Sequence, residues 1–154
     1  MEAEGDLEVL LLEAVPQAID LAAWSREPHG HAERRAVAVG VAHLLRTAHD
    51  AGWADRDLHR GNVLWSPRGA VLLDPGTQPL RGPLPPPARS AALGVAAHGL
   101  APDVRTGLWA LRAYFGGDPA EARRQLRFVL RAGRRKTRAW RRARARRATR
   151  TGRH

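Results

Sequence analysis

Between residues 32 and 51, apolar side chains recur three and four positions apart, a spacing that puts them on one face of an α-helix. These positions are Val37, Val41, Leu44, Leu45 and Ala48. Glycine commonly ends helices because it adopts left-handed backbone conformations without strain, and Gly52 follows the periodic segment. The pattern therefore predicts an amphipathic helix that ends just before residue 53.

Three shorter apolar runs predict strands. The first covers residues 7–15 and is bounded by acidic residues and Pro16. The other two cover residues 63–65 and 70–73, and the sequence SPRG, which has the composition of a turn, separates them. We expect these last two runs to form a β-hairpin.

The remaining patterns predict further helices. Asp20 precedes LAAWS and can cap a short helix there, since its carboxylate accepts hydrogen bonds from the first turn. Three longer segments also have helical composition, residues 89–99, 103–115 and 120–132, and Asp118-Pro119 is a suitable start for the last one. The proline-rich segment 75–88 predicts an exposed irregular loop. The expected fold class is mainly α with a small β-hairpin, an α+β protein.

Charge divides the chain into two unequal parts. The chain has 26 Lys and Arg against 15 Asp and Glu. From residue 123 to residue 154 there are 15 basic side chains and no acidic one, so the net charge of +11 combines a +15 segment with a body of −4. We expect residues 1–133 to form the folded lobe and residues 134–154 to form a basic tail, helical or disordered.

Other features of the composition exclude whole classes of protein. The chain has no cysteine, so it cannot form disulfides or thiolate metal sites. No apolar run approaches the roughly 20 residues that a membrane-spanning helix needs, and the acidic N-terminus is unlike a signal peptide. These features predict a cytoplasmic protein, soluble or peripheral on the inner face of the membrane.

The stretch DRDLHRGN, residues 55–62, has the residue types of a phosphoryl-transfer site. Such a site needs one carboxylate for the attacking hydroxyl and a set of hard oxygen ligands for Mg²⁺. Protein kinases provide them as H-R-D-L-x-x-x-N followed by a hairpin and D-F-G. Here the same order predicts Asp57 as catalytic base, with Asn62 and Asp74 as Mg²⁺ ligands that hold ATP.

The same residues allow simpler interpretations. Asp, Asn and Gly favour turns, so the stretch could be a plain connection. His59 could pack or hydrogen-bond inside the loop rather than act in catalysis. Arg56 could pair with a carboxylate or phosphate, or only brace the loop, and Gly61 would serve the backbone. The helix before the stretch and the hairpin after it favour the kinase interpretation.

The form R-D-L-H-R-G-N-V-L resembles small-molecule kinases, such as aminoglycoside and choline kinases, more than eukaryotic protein kinases. It most resembles the bacterial lipopolysaccharide kinase family, which phosphorylates heptose or Kdo sugars of the inner core. The segments LLLEAVPQAIDLAAW and RAYFG, the latter followed by an arginine-rich helix, resemble the hinge region and the C-terminal end of that family. The resemblance implies ATP-dependent phosphorylation of a sugar or glycolipid hydroxyl, although the residues would also suit an aminoglycoside hydroxyl or a protein serine.

The sequence departs from that family at three points. Asp55 stands where many relatives have histidine, and Pro75 follows the metal-binding aspartate. If residues 7–15 form the hinge strand, the glycine-rich loop, the ATP-contacting lysine and its glutamate partner have no counterpart before it. The resemblance therefore implies a truncated kinase-like C-terminal lobe without its N-terminal lobe, which lacks half of the nucleotide site.

The basic tail suggests an alternative function. Its arginines could bind an anionic membrane surface, which suits a glycolipid acceptor, or nucleic acid, or only be solvated. Trp140 could then lie at a membrane interface, whereas Trp24, Trp53, Trp65 and Trp109 are expected to pack in the lobe. The alternative is a non-catalytic basic binding protein that keeps the kinase lobe as a scaffold.

Overall fold

The computed structural model describes residues 14–54, 58–73, 82–101 and 103–151. The elements in these ranges are β1 (Ile19–Asp20), α1 (Leu21–Trp24), α2 (His31–Asp50), β2 (Val63–Ser66), β3 (Gly69–Leu72), α3 (Pro86–Leu100), α4 (Val104–Tyr114) and α5 (Pro119–Thr151). The described chain is thus mainly helical with one small antiparallel sheet. This confirms the predicted α+β class.

Helix α2 matches the predicted amphipathic helix within one residue at each end. Its apolar face is buried at Val37, Val41 and Leu45. Gly52 lies two residues after the helix with φ of +90°, a backbone conformation that an L side chain rarely adopts. The chain therefore turns away from α2 where the sequence predicted that it would.

The sheet consists of the predicted hairpin and one additional short strand, in the order β1-β2-β3. Strands β2 and β3 pair antiparallel from Val63 opposite Leu72 to Ser66 opposite Gly69. Strand β1 pairs antiparallel with β2 and is only two residues long, too short for an alternating pattern to predict it. At its end Asp20 caps α1 as predicted, since its Oδ1 accepts a hydrogen bond from the Ala23 amide at 2.7 Å.

Two boundary predictions differ from the structure. Helix α3 begins at Pro86, so the predicted irregular loop, residues 75–88, is wrong in its last three residues. Proline fits the first turn of a helix because the amide hydrogen it lacks would have no helical partner there. Residues 75–81 of that loop lie outside the described residues, as do residues 7–13 of the predicted first strand. The two described residues of that strand, Ala14 and Val15, are not in a strand.

Helix α5 is much longer than the predicted segment 120–132, because it continues without a break through the basic tail to Thr151. Its middle packs against α3, where Gly133 approaches the backbone of Gly94. Further along, the Thr137 hydroxyl lies 2.9 Å from Nδ1 of His98. The first part of the tail is therefore a packed helix. No helix in the described ranges is both long and apolar enough to cross a membrane.

Four of the five tryptophans were expected to pack in the lobe. Trp53 is buried, and Trp24 and Trp65 pack against the hydrophobic core. Trp109 is partly buried and its ring meets the ring of His31 edge-on. Trp140, which was not among the tryptophans expected to pack in the lobe, is half-exposed.

Candidate active site

The structure describes only part of the predicted catalytic stretch. Asp55, Arg56 and Asp57 lie outside the described residues, and so does Asp74. The predicted base, the predicted loop arginine and one predicted metal ligand therefore stay predictions. The remainder of the loop, residues 58–62, and the hairpin that follows it are described.

A reciprocal pair of hydrogen bonds shapes the second half of the loop. Residues Arg60–Asn62 form one turn of 3₁₀-helix. The His59 ring accepts a hydrogen bond at Nδ1 from the Gly61 amide at 3.1 Å, and the His59 amide donates to Oδ1 of Asn62 at 3.0 Å. A neutral His59 must then carry its proton on Nε2, because Nδ1 is an acceptor. His59 therefore hydrogen-bonds inside the loop, which was the alternative to a catalytic role that the sequence left open for this residue.

Gly61 makes room for this cap. A Cβ atom built at Gly61 would lie 3.2 Å from both Cε1 and Nδ1 of the His59 ring, closer than most such contacts. A larger residue at this position would push the ring away from the amide that it accepts from. This supports the backbone role predicted for Gly61.

Asn62 stands at the open end of the hairpin. Its carbonyl oxygen accepts a hydrogen bond from the Leu73 amide at 2.9 Å, one position beyond the β2-β3 ladder. The loop is anchored on either side by the buried side chains of Leu58 and Val63, which are 5% and 0% exposed. The side-chain Oδ1 of Asn62 accepts one hydrogen bond, from the His59 amide, within the described part of the loop, and an amide oxygen has two lone pairs.

Arg60 joins the loop to two helices, a role that the sequence did not indicate. Its Nε donates to the carbonyl of Leu100 at the end of α3, at 3.3 Å. Its Nη1 lies 3.4 Å from the Ser25 hydroxyl just after α1. Arginine is so frequent in this chain that its type carried no signal here, even though Arg60 lies between His59 and Gly61.

A buried polar cluster lies at the end of α2, upstream of the loop. The His49 side chain is 2% exposed, and its Nδ1 lies 2.7 Å from the Tyr114 hydroxyl. Burial, together with the nearby Arg89 guanidinium, lowers the pKa of His49 from 6.5 to about 4. Arg89 in turn forms an ion pair with Asp50 at 2.6 Å. Sequence reasoning missed His49, although it follows Leu45 by four positions on the apolar face of α2.

The charged groups of the described residues do not form a preassembled metal centre. Within the described ranges, no group of three or more His, Asp or Glu side chains could hold a metal ion. The predicted Mg²⁺ ligands are instead one amide oxygen, that of Asn62, and one carboxylate, that of Asp74. Hard oxygen donors in small number are what Mg²⁺ takes from proteins at phosphate sites, so the residue types fit this ion.

Comparisons of this chain with known protein families, with curated proteins and with solved structures find no match.

Proposed function

We propose that this chain is a kinase-like lobe of the lipopolysaccharide sugar-kinase type, which transfers the γ-phosphoryl group of ATP to a sugar hydroxyl. The observation that carries the proposal is the hydrogen bond from the Leu73 amide to the Asn62 carbonyl at the open end of the hairpin. Asp74 is the next residue after Leu73 in the sequence, so we expect it to lie near the end of the hairpin at which Asn62 stands.

The order of elements supports the same proposal. An amphipathic helix, α2, precedes the loop, and the β2-β3 hairpin follows it, as the kinase motif requires. Strand β1 and helix α1 lie in the segment that resembles the hinge region, and β1 pairs with β2. This pairing joins the proposed hinge segment directly to the hairpin that lies between the two proposed metal ligands in the sequence.

The residues divide the chemistry between them. Asn62 and Asp74 would hold Mg²⁺, which when bound neutralises charge on the phosphates of ATP. Asp57 would accept the proton of the attacking hydroxyl. The hydrogen bond between Oδ1 of Asn62 and the His59 amide fixes the direction of the amide group before any ligand arrives. His59 and Gly61 are then supports of the metal ligand rather than catalytic groups.

The test is Mg²⁺-dependent binding of ATP, measured by isothermal titration calorimetry. The unaltered chain should bind ATP with Mg²⁺ and lose that binding in excess chelator. Asp74→Ala and Asn62→Ala should each weaken binding by at least about tenfold, the usual lower effect of disturbing a metal site. Asn62→Asp keeps an oxygen ligand and should be milder. Asp57→Asn should leave ATP binding intact and abolish transfer to a sugar acceptor.

Asp118→Asn is the matched control, since Asp118 is an exposed carboxylate at the start of α5, remote in sequence from the loop. It should bind ATP as the unaltered chain does. The proposal fails for this chain if ATP binding is absent or independent of Mg²⁺. It also fails if Asp74→Ala and Asp118→Asn behave alike.

A second candidate function, binding of polyanions through α5, rests on the distribution of arginine around that helix. At 100° per residue, nine arginines fall within one third of the helix circumference. All nine are exposed, and they are Arg123, Arg124, Arg127, Arg131, Arg134, Arg135, Arg138, Arg141 and Arg142. This arginine stripe is about 28 Å long at the 1.5 Å rise of a helix.

The stripe favours nucleic acid over a membrane. A helix that lies in a membrane interface buries an apolar face there, but α5 turns its apolar side towards α3 and presents arginine outward. The Trp140 ring is not available for insertion into a membrane, because it packs against the His98 ring and under the Arg144 guanidinium. Arginine also binds phosphate oxygens in pairs, which suits a phosphate backbone.

The test for this second function compares binding of a nucleic-acid duplex with binding of anionic vesicles over a range of salt. Replacing Arg127, Arg131, Arg134 and Arg138 by alanine should reduce the slope of log K against log salt by about 3.5, if each contacts one phosphate. A control variant removes four exposed arginines outside α5, Arg26, Arg35, Arg68 and Arg105. Equal losses in the two variants, or binding only to vesicles, would overturn this candidate.

A further inference from the structure

A cavity of about 400 Å³ lies among α2, α3, α4 and α5. Small-molecule sites in proteins usually have volumes of about 300–1,000 Å³ and mainly apolar walls. The walls here are mainly aliphatic, with Val41, Leu93, Leu111 and Val129 contributed by the four helices in turn. Its size and lining are therefore those of a ligand site.

Several large apolar side chains that line the cavity are exposed to solvent, which is unfavourable for such groups. Val104 and Leu108 of α4 and Leu130 of α5 all line the cavity, yet they are 81%, 46% and 49% exposed. Three of the six large apolar side chains that the described residues expose thus line this one cavity. Clustered exposed apolar groups of this kind mark binding surfaces rather than ordinary protein surface.

Two arginines, Arg34 and Arg60, also line the cavity, and Asp103 is the only acidic residue in its lining within the described ranges. Nη1 of Arg34 lies 3.8 Å from Oδ2 of Asp103. That carboxylate is already engaged, since it accepts hydrogen bonds from the amide and hydroxyl of Thr106. This part of the lining therefore carries a net positive charge.

Arg34 also has an unused hydrogen-bond donor. Its Nε is buried and has no hydrogen-bond partner among the described residues. A buried donor without a partner is costly, and a ligand oxygen would satisfy it. Arginine can offer Nε and one terminal nitrogen together to a carboxylate or phosphate group. Arg60 differs, because two of its three guanidinium nitrogens already contact Leu100 and Ser25.

We propose that this cavity binds a single acyl chain with an anionic head group. The chain lies between the four helices, and the head group accepts hydrogen bonds from Arg34. A long-chain fatty acid and a lysophospholipid share this chemistry. The proposal is independent of phosphoryl transfer, since it needs neither ATP nor the residues assigned to Mg²⁺.

Isothermal titration calorimetry of the full chain tests the proposal with lauric acid and lauroyl lysophosphatidic acid, both below their micelle concentrations, and with dodecanol below its solubility limit. Lauric acid should bind much more tightly than octanoic acid, by about fourfold for each added methylene that becomes buried. Dodecanol, which has the same apolar chain without the charge, should bind at least about tenfold more weakly than lauric acid. The two anionic ligands distinguish a carboxylate head from a phosphate head.

Two variants locate the binding. Arg34→Ala should weaken lauric acid by at least about tenfold, whereas Arg35→Ala, an exposed neighbour on the same helix that does not line the cavity, should have no effect. Ala110→Phe places a ring in the cavity and should abolish binding without lowering the melting temperature.

Any of three results would overturn the proposal. One is an absence of lauric acid binding by the unaltered chain. Another is equal binding by Arg34→Ala and Arg35→Ala, which would indicate adsorption elsewhere on this basic protein. The third is undiminished binding by Ala110→Phe in a folded protein. Equal affinity for dodecanol and lauric acid would overturn the assignment of the anionic head group.

Discussion

The buried histidine of α2 should make the stability of this protein strongly dependent on pH. The folded protein holds the pKa of His49 at about 4, against 6.5 for an ordinary histidine, because the ring is buried beside Tyr114 and close to the Arg89 guanidinium. Protonation is therefore less favourable in the folded chain than in the unfolded chain. His49 contributes its full stability above pH 6.5 and loses it as the pH falls towards 4.

The size of this effect follows from the shift itself. Each pH unit between the two pKa values changes the free energy of unfolding by about 1.4 kcal/mol, so the whole interval amounts to about 3 kcal/mol. That is a large part of the 5–15 kcal/mol by which domains are usually stable. His49→Gln keeps a side chain that can hydrogen-bond to the Tyr114 hydroxyl but cannot titrate.

Urea unfolding at several pH values between about 7.5 and 4.5 measures the effect, because the difference in slope between two variants isolates one group. The unaltered chain should lose stability more steeply than His49→Gln, by about 1.4 kcal/mol per unit below pH 6.5. His43→Gln, a change at an exposed histidine of the same helix, should keep the steep slope. Parallel curves for the unaltered chain and His49→Gln would refute the reasoning.

Three further predictions concern stability and can be checked by thermal or urea unfolding. Gly94→Ala should destabilise the protein by at least about 1–3 kcal/mol, since its Cβ would lie 2.7 Å from the amide nitrogen of Gly133. Gly107→Ala, whose Cβ would have ordinary contacts, should be neutral or stabilising. Equal effects of the two substitutions would contradict the close approach of α3 and α5. Asp103→Ala removes the N-cap of α4 and should cost about 0.5–2 kcal/mol, with Asp103→Asn retaining most of it. Thr137→Val removes the hydroxyl that contacts His98 of α3 and should lower the free energy of unfolding by about 0.5–1.5 kcal/mol. Thr137→Ser keeps the hydroxyl and should not have this effect. If the two variants were equally stable, the contact would not stabilise the packing of the tail.

The local elements of this protein could be predicted from its sequence because their causes are local. The 3.6-residue period identified α2, and the two apolar runs around SPRG identified the hairpin. Asp20 and Asp118 were recognised as caps because an aspartate side chain reaches only amides two or three residues ahead. The order of residues in DRDLHRGN likewise lies within one short stretch, so the sequence alone predicted the candidate site and its proposed chemistry.

The contacts between distant segments were decided only by the tertiary structure. No pattern in the sequence tells that Arg60 reaches Leu100, or that Gly94 meets Gly133, since each pair is about 40 residues apart. The sequence around His49 does not distinguish it from other polar residues near helix ends, because its partner, Tyr114 of α4, lies 65 residues further along the chain. The cavity among four helices has the same origin: periodicity indicates which side chains face inward, but the relative positions of the helices decide whether those side chains fill the space.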